Sequence, residues 1–209
     1  MNMLKLLPLE LKRVLQSRFT WLVIALTAFS PVLGLILYKP ASATTMLSIY
    51  LANPAIAGGA AGGILFGVLT ICEWDRAVRH RVEVLMDAVV SPLSLALVRL
   101  SALMVYALCA FALTLLAWLP ISKGLIGAVF DLSDYALAYL LFMGLALPLG
   151  ILAAAAAYQF CRRVDLALLL FAAFAAFSLT LWADNWQLCW LNPCVWALSD
   201  DFSNVRIFR

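Results

Sequence analysis

The chain has 209 residues, 66% of them hydrophobic, and a formal net charge of +3. Soluble globular chains are roughly 45–50% apolar, so this composition excludes an ordinary soluble domain and predicts an integral membrane protein. The small net charge gives no indication of a nucleic-acid partner, and none is expected. We expect residues 1–209 to form one transmembrane domain surrounded by the lipid bilayer.

The first feature along the chain is an amphipathic pattern in residues 1–18. Leucines at helical spacing share one face, and basic residues with a glutamine lie elsewhere: Leu4, Leu7, Leu11 and Leu15 against Lys5, Lys12, Arg13 and Gln16. Such a helix is suited to lie in the membrane interface. We expect it to begin near Pro8, because proline is tolerated at a helix start. A basic tail that only fixes the topology is the alternative.

Five apolar runs follow, each near the ~20 residues that a helix needs to cross the hydrocarbon core. They are residues 19–38, 52–72, 100–120, 135–158 and 166–183. Backbone polar groups in lipid must be hydrogen-bonded within their own segment. The predicted fold is therefore all-α, a polytopic transmembrane helix bundle with five spans and the amphipathic amino-terminal helix. The first run is longer than the core of a signal peptide, which favours an uncleaved span.

The second run is rich in glycines spaced four residues apart. Gly58 pairs with Gly62, Gly59 with Gly63, and Gly63 with Gly67. Helices in lipid gain attraction from close backbone approach through small residues, so this span is expected to lie in the interior of the bundle. A phosphate-binding loop is excluded, because no Lys-Ser/Thr pair follows the glycines.

The basic residues are distributed unevenly among the segments between the runs. The amino-terminal segment and the segments after the second and fourth runs hold ten of the 14 lysines and arginines. These are Lys5, Lys12, Arg13, Arg18, Arg76, Arg79, Arg81, Arg99, Arg162 and Arg163. The positive-inside rule places these segments in the cytoplasm. We therefore expect a multi-pass plasma-membrane protein with a cytoplasmic amino terminus.

Five spans leave residues 184–209 on the outer side. Trp186, Trp190 and Trp196 are typical of the membrane–water interface, so this segment is expected to be an outer tail or a re-entrant element. An oxidising compartment there would allow a disulfide between Cys189 and Cys194. The odd number of spans leaves open a further span after Arg209.

Residues 73–92, between the second and third runs, concentrate charge on a helical pattern. Val78, Val82, Leu85 and Val89 form an apolar stripe, and the charged residues Arg76, Arg79, Glu83 and Asp87 lie off it. Ser91-Pro92 then reads as a helix cap followed by proline at the first helical position. Acidic residues contribute little to topology, so a helix that carries both signs favours a protein contact over a solvated loop.

The layout resembles that of the permease subunits of ABC transporters of the type-2 exporter class. The residues that carry the resemblance are Glu73 and Arg76 at the end of the second span, residues 82–90, Ser91-Pro92-Leu93-Ser94 and Arg99. The resemblance implies a dimer of six-span subunits, homomeric or heteromeric. It also implies a coupling helix that contacts a separate ATP-binding subunit. The implied contact residues are Glu73, Arg76, Arg79, Arg81, Glu83 and Asp87.

The chain has no GxxxxGK[ST] run, so ATP and Mg²⁺ would be bound by that separate ATPase subunit and not by this chain. We expect no cofactor, no metal and no catalytic residue here, but a membrane subunit that moves its substrate with a partner's ATP hydrolysis. The alternatives are a non-catalytic membrane assembly protein and a membrane-embedded enzyme using Glu73, Asp75 and His80. The apolar, aromatic character of the spans suits a hydrophobic substrate.

Overall fold

The structure, a computed structural model, describes residues 3–36, 48–79 and 91–180. Its α-helices, in chain order, are α1 (Met3–Leu15), α2 (Arg18–Phe29), α3 (Val32–Ile36), α4 (Asn53–Arg79), α5 (Pro92–Ile126), α6 (Leu132–Tyr139), α7 (Leu145–Cys161) and α8 (Val164–Thr180). A π-helical turn, Ser48–Ala52, precedes α4, and a second, Leu140–Gly144, joins α6 to α7. The described residues contain no β-strand, as an all-α fold predicts.

Four helical segments are long and apolar enough to cross a membrane, namely Arg18–Ile36, Tyr50–Arg76, Pro92–Val129 and Leu132–Cys161. They cover the second, third and fourth predicted spans and residues 19–36 of the first, whose last two residues lie outside the described residues. The fifth predicted span, residues 166–183, is not confirmed, because the described apolar helix Val164–Ser178 is shorter than a span. Residues 181–209, including the tryptophan-rich segment and Cys189 and Cys194, lie outside the described residues.

The first and the fourth spanning segments are not regular α-helices throughout, although the sequence of each is a continuous apolar run. The fourth contains the π-helical turn Leu140–Gly144. The first is divided between α2 and α3 at Ser30 and Pro31, where proline has no backbone N–H to continue the helical ladder. The hydroxyl of Ser30 donates to the carbonyl of Thr27 at 2.7 Å and approaches the carbonyl of Gly58 at 3.3 Å. The break therefore fixes the first segment against α4.

Helix α4 is the central helix of the bundle. It packs against α2, α3, α7 and α8, and 72% of its most apolar stretch is buried, against 33–50% for the other three spanning segments. Its glycines permit this packing. A Cβ on Gly59 would overlap the backbone carbonyl of Phe142 in the second π turn, and a Cβ on Gly150 of α7 would overlap the backbone of Gly63.

Two described helices begin with a side-chain cap, and one of these caps, at Ser91, is predicted from the sequence. Ser91 precedes α5 and its hydroxyl accepts from the backbone N–H of Ser94, with Pro92 in the first turn, so the Ser-Pro prediction is confirmed. Asp131 caps α6 in the same way, and the N–H of Ser133 that it accepts lowers the pKa of this carboxyl. Helix α7 ends at Arg162, whose backbone is left-handed at φ 50°.

Candidate functional site: a charged cluster at the basic end

We call one end of the bundle the basic end, defined by Arg18, Arg76, Arg99 and Arg162. Helices α2 and α5 begin there, and α4 and α7 end there. Residues 80–90 connect the end of α4 to the start of α5, so both of their attachment points lie at this end. Helix α1 also lies at the basic end, where it packs along α5.

Helix α1 begins at Met3 and contains Pro8, so the prediction that it begins near Pro8 is wrong. Its buried face also differs from the leucine face read from the sequence. Leu6, Glu10 and Val14, spaced four residues apart, are each at least 96% buried, whereas Leu15 is 41% exposed. An acidic residue can lie on the buried face because α1 packs against α5, which supplies an arginine opposite it.

Two buried carboxylates and three arginines form what we call the charged cluster: Glu10 and Arg13 of α1, Glu73 and Arg76 of α4, and Arg99 of α5. Arg13 joins α1 to α4, since its Nε donates to Glu10 at 2.7 Å and its Nη1 lies 3.2 Å from Glu73. Arg76 lies 3.6 Å from Glu73 on the next turn of α4. Arg99 lies 3.9 Å from Glu10 and joins α1 to α5.

Burial makes this arrangement costly to disturb. Glu10, Glu73 and Arg99 are 4%, 4% and 8% exposed, whereas Arg13 and Arg76 keep part of their surface in solvent. Ions withdrawn from water are tolerated only where opposite charges and hydrogen bonds surround them. Each carboxylate lies near two guanidinium groups. The ion pairs connect α1, α4 and α5, and removal of one charged group would leave its buried partner without a counter-charge.

The neighbouring residues of α4 extend the contacts to α7. The ring of Trp74 meets that of Tyr158 edge-on at 6.1 Å between centroids, and the Tyr158 hydroxyl approaches Asp75 Oδ1 at 3.5 Å. Glu73 and Asp75 therefore face different helices, as residues two apart on a helix should. On α1, the carbonyl of Leu11 accepts a 2.6 Å hydrogen bond from the Tyr106 hydroxyl of α5.

A cavity of about 570 Å³ lies beside the charged cluster, between α4, α5 and the end of α7. Its described polar lining comprises Trp74, Arg99, Tyr158, Gln159 and Arg162, and its apolar lining comprises Val78, Pro92, Leu95 and Ala96. Arg162 is the only non-glycine residue with a positive φ among the residues described. Glycine is usually preferred in that conformation at a helix end.

The structure brings together some of the residues singled out in the sequence. Glu73 and Arg76 belong to the charged cluster, and Arg79 ends α4. Arg81, Glu83 and Asp87, with His80, belong to residues 80–90 of the predicted coupling segment 73–92, which lie outside the described residues, whereas its residues 73–79 are the last part of α4. The prediction missed Arg13 as a partner of Glu73 and Glu10 as a partner of Arg99. A signal was available for Glu10, the one acid of residues 1–18, because it is spaced four residues from both Leu6 and Val14.

Comparisons of the chain with protein-family models, with curated proteins and with solved structures found no match. The described residues contain no group of three or more His, Cys, Asp or Glu that could hold a metal ion. The features of the chain that bear on its function are therefore the charged cluster, the cavity and the resemblance carried by residues 73–99.

Proposed function

We propose that the chain is the membrane subunit of an ABC transporter of the type-2 exporter class. In this proposal the basic end faces the cytoplasm, α1 lies in the membrane interface, and residues 73–92 form the coupling segment. ATP and Mg²⁺ bind to a separate ATPase subunit, and a second permease subunit, identical or homologous, completes the transport unit. The chain itself catalyses no reaction.

The observation that carries the proposal is the charged cluster, because of where it lies. The coupling segment is continuous with the end of α4 on one side and the start of α5 on the other. Glu73 and Arg76 lie near the first junction, and Arg99 follows the second, eight residues after Ser91. A displacement of the segment therefore acts directly on both helices, and Glu10 and Arg13 transmit it to α1 through the ion pairs.

Transport requires two arrangements of the bundle that the ATPase distinguishes. A partner shifts such an equilibrium only by contacting the two arrangements differently. The charged cluster suits this role, since a relative shift of α1 or α5 changes distances between buried charges, and ion-pair energies depend steeply on distance in a poorly solvated site. The substrate class that suits the apolar spans is a hydrophobic or lipid-like molecule.

Photo-crosslinking tests the proposed ATPase contact. A photoreactive amino acid replaces Glu83 or Asp87 in the full chain in native membranes, and the crosslinked polypeptide is identified by mass spectrometry. Crosslinks to a polypeptide with a GxxxxGK[ST] sequence, enhanced or lost when ATP and vanadate are added, are the expected result. The matched control places the same amino acid at Ser133, which is exposed at the opposite end of the bundle.

The same experiment distinguishes the alternative functions. Crosslinks from Glu83 and Asp87 to lipid alone, or to a protein without an ATP-binding sequence, would contradict the transport proposal and favour an assembly role. An enzyme using Glu73, Asp75 and His80 would retain activity in the purified chain without any ATPase and lose it on His80→Ala. Arg13 and Arg76 already engage Glu73, which leaves that carboxylate poorly placed to act on a substrate.

A further inference from the structure

We propose that the cavity at the basic end binds the headgroup of an anionic phospholipid. This inference does not depend on the transport role. It requires only that the basic end lies at a membrane surface. The observations that carry it are the charge of the cavity lining, the division of that lining into polar and apolar parts, and the backbone conformation of Arg162.

The charge of the lining complements a phosphate. Arg99 and Arg162 are the charged residues of the described lining, and no carboxylate belongs to it. Arg99 is buried and fixed near Glu10, whereas Arg162 is exposed on the other side of the cavity. Guanidinium groups are the preferred partners of phosphate oxygens, and basic pockets between spanning helices at the cytoplasmic side are typical sites for anionic headgroups.

The remaining lining fits an amphiphile better than a free anion. Leu95, Ala96 and Val78 give the cavity an apolar wall, and Trp74 and Tyr158 are the residue types that favour the membrane–water interface. A volume of about 570 Å³ is ample for a headgroup with the first part of its acyl chains, whereas an inorganic phosphate would leave most of the apolar wall uncovered.

Arg162 occupies a backbone conformation that disfavours its own side chain. At φ 50° and ψ 21° it ends α7 in the left-handed region, which side chains other than glycine and asparagine adopt at an energetic cost. An arginine held there indicates that its side chain, which lines the cavity, is used. This feature also supplies a favourable test variant, because glycine relieves the backbone cost while it removes the charge.

The test measures lipid retention by native mass spectrometry of the full chain, delipidated and then titrated with phosphatidylglycerol or phosphatidylcholine of identical acyl chains. We expect the wild type to prefer phosphatidylglycerol, and Arg162→Gly to lower that affinity about fivefold, the effect of one basic residue near an anionic lipid. Arg162→Lys should retain most of the preference. Arg163→Gln, an exposed neighbour outside the described lining, should leave it unchanged.

Further arms identify the ligand and keep folding separate from binding. Circular dichroism melting should show Arg162→Gly to be at least as stable as the wild type, because glycine relieves the backbone cost. Ala96→Trp, which fills the cavity, should lower retention of phosphatidylglycerol. Displacement of the lipid by millimolar inorganic phosphate would overturn the proposal in favour of a free-anion site. Equal retention of both lipids, unaffected by Arg162→Gly, would overturn the headgroup proposal. It would favour a cavity that the protein's own residues cover, because such a cavity binds neither headgroup.

Discussion

Glu10 is a carboxylate on the buried face of a helix that also carries exposed basic residues. Arg13 and Arg99 approach its two oxygens at 2.7 and 3.9 Å, so its charge is balanced from α1 itself and from α5. The residue therefore connects a peripheral helix to the bundle through charge, in addition to the apolar contacts of Leu6 and Val14.

Replacing Glu10 with glutamine should destabilise the folded chain by about 2–4 kcal/mol, because Arg99 then keeps a buried charge without its carboxylate. The measurement is reversible unfolding in mixed micelles with increasing SDS. Lys12→Gln, on the exposed side of the same helix, is the control and should change stability by no more than about 0.5 kcal/mol. Equal effects of the two variants would show that Glu10 contributes nothing as a charge.

The sequence singles out Glu73, Arg76 and Arg99 of the charged cluster, because they flank a charged segment between two apolar runs, but it predicts an ATPase contact for Glu73 and Arg76 and no partner within the chain. It places Arg13 on the polar side of an amphipathic helix and gives Glu10 no role, since periodicity assigns a residue to a face but does not say which helix covers that face. The contact between residues 60 positions apart, Arg13 to Glu73 at 3.2 Å, depends on tertiary packing.

At the scale of elements, α4 shows what a glycine pattern can and cannot predict. The four-residue spacing predicted close packing for the second span, and the structure places α7 and the second π turn against Gly63 and Gly59. The partners were not predictable, because small residues also occur in other runs. The division of α2 from α3 and the π turn at Leu140–Gly144 are not among the predictions. Pro31 is a sequence signal for the first, whereas the π turn lies within continuous apolar sequence.

Alanine substitutions at two glycines should act in opposite directions. Gly59→Ala places a methyl group against the carbonyl of Phe142 and should destabilise the bundle by about 1–3 kcal/mol. Gly124→Ala, in α5, meets no atom within 4 Å and should stabilise by up to about 1 kcal/mol through helix propensity. The same SDS titration measures both. A loss of stability at Gly124 as large as that at Gly59 would contradict the packing argument.

For the whole molecule, the segment Leu132–Cys161 should place its two ends on opposite sides of the membrane. In a chain whose native cysteines are replaced, a cysteine at Ser133 should react with an impermeant maleimide in intact cells. A cysteine at Arg163 should react only after permeabilisation, because the basic end is expected in the cytoplasm. Both positions are exposed, so burial does not explain a difference, and labelling of both in intact cells would overturn the topology.

The length of α5 has a mechanical consequence. Its 35 residues extend roughly 52 Å at 1.5 Å per residue, well beyond a hydrocarbon layer of about 30 Å. Arg99 holds this rod near one end, and Ile126, at the other end, lies roughly 40 Å farther along its axis. In the proposed transport cycle, a pivot of about 10° at Arg99 would swing the distant end of α5 by roughly 7 Å, so a small rearrangement of the charges at the basic end would become a large displacement at the opposite end of the bundle.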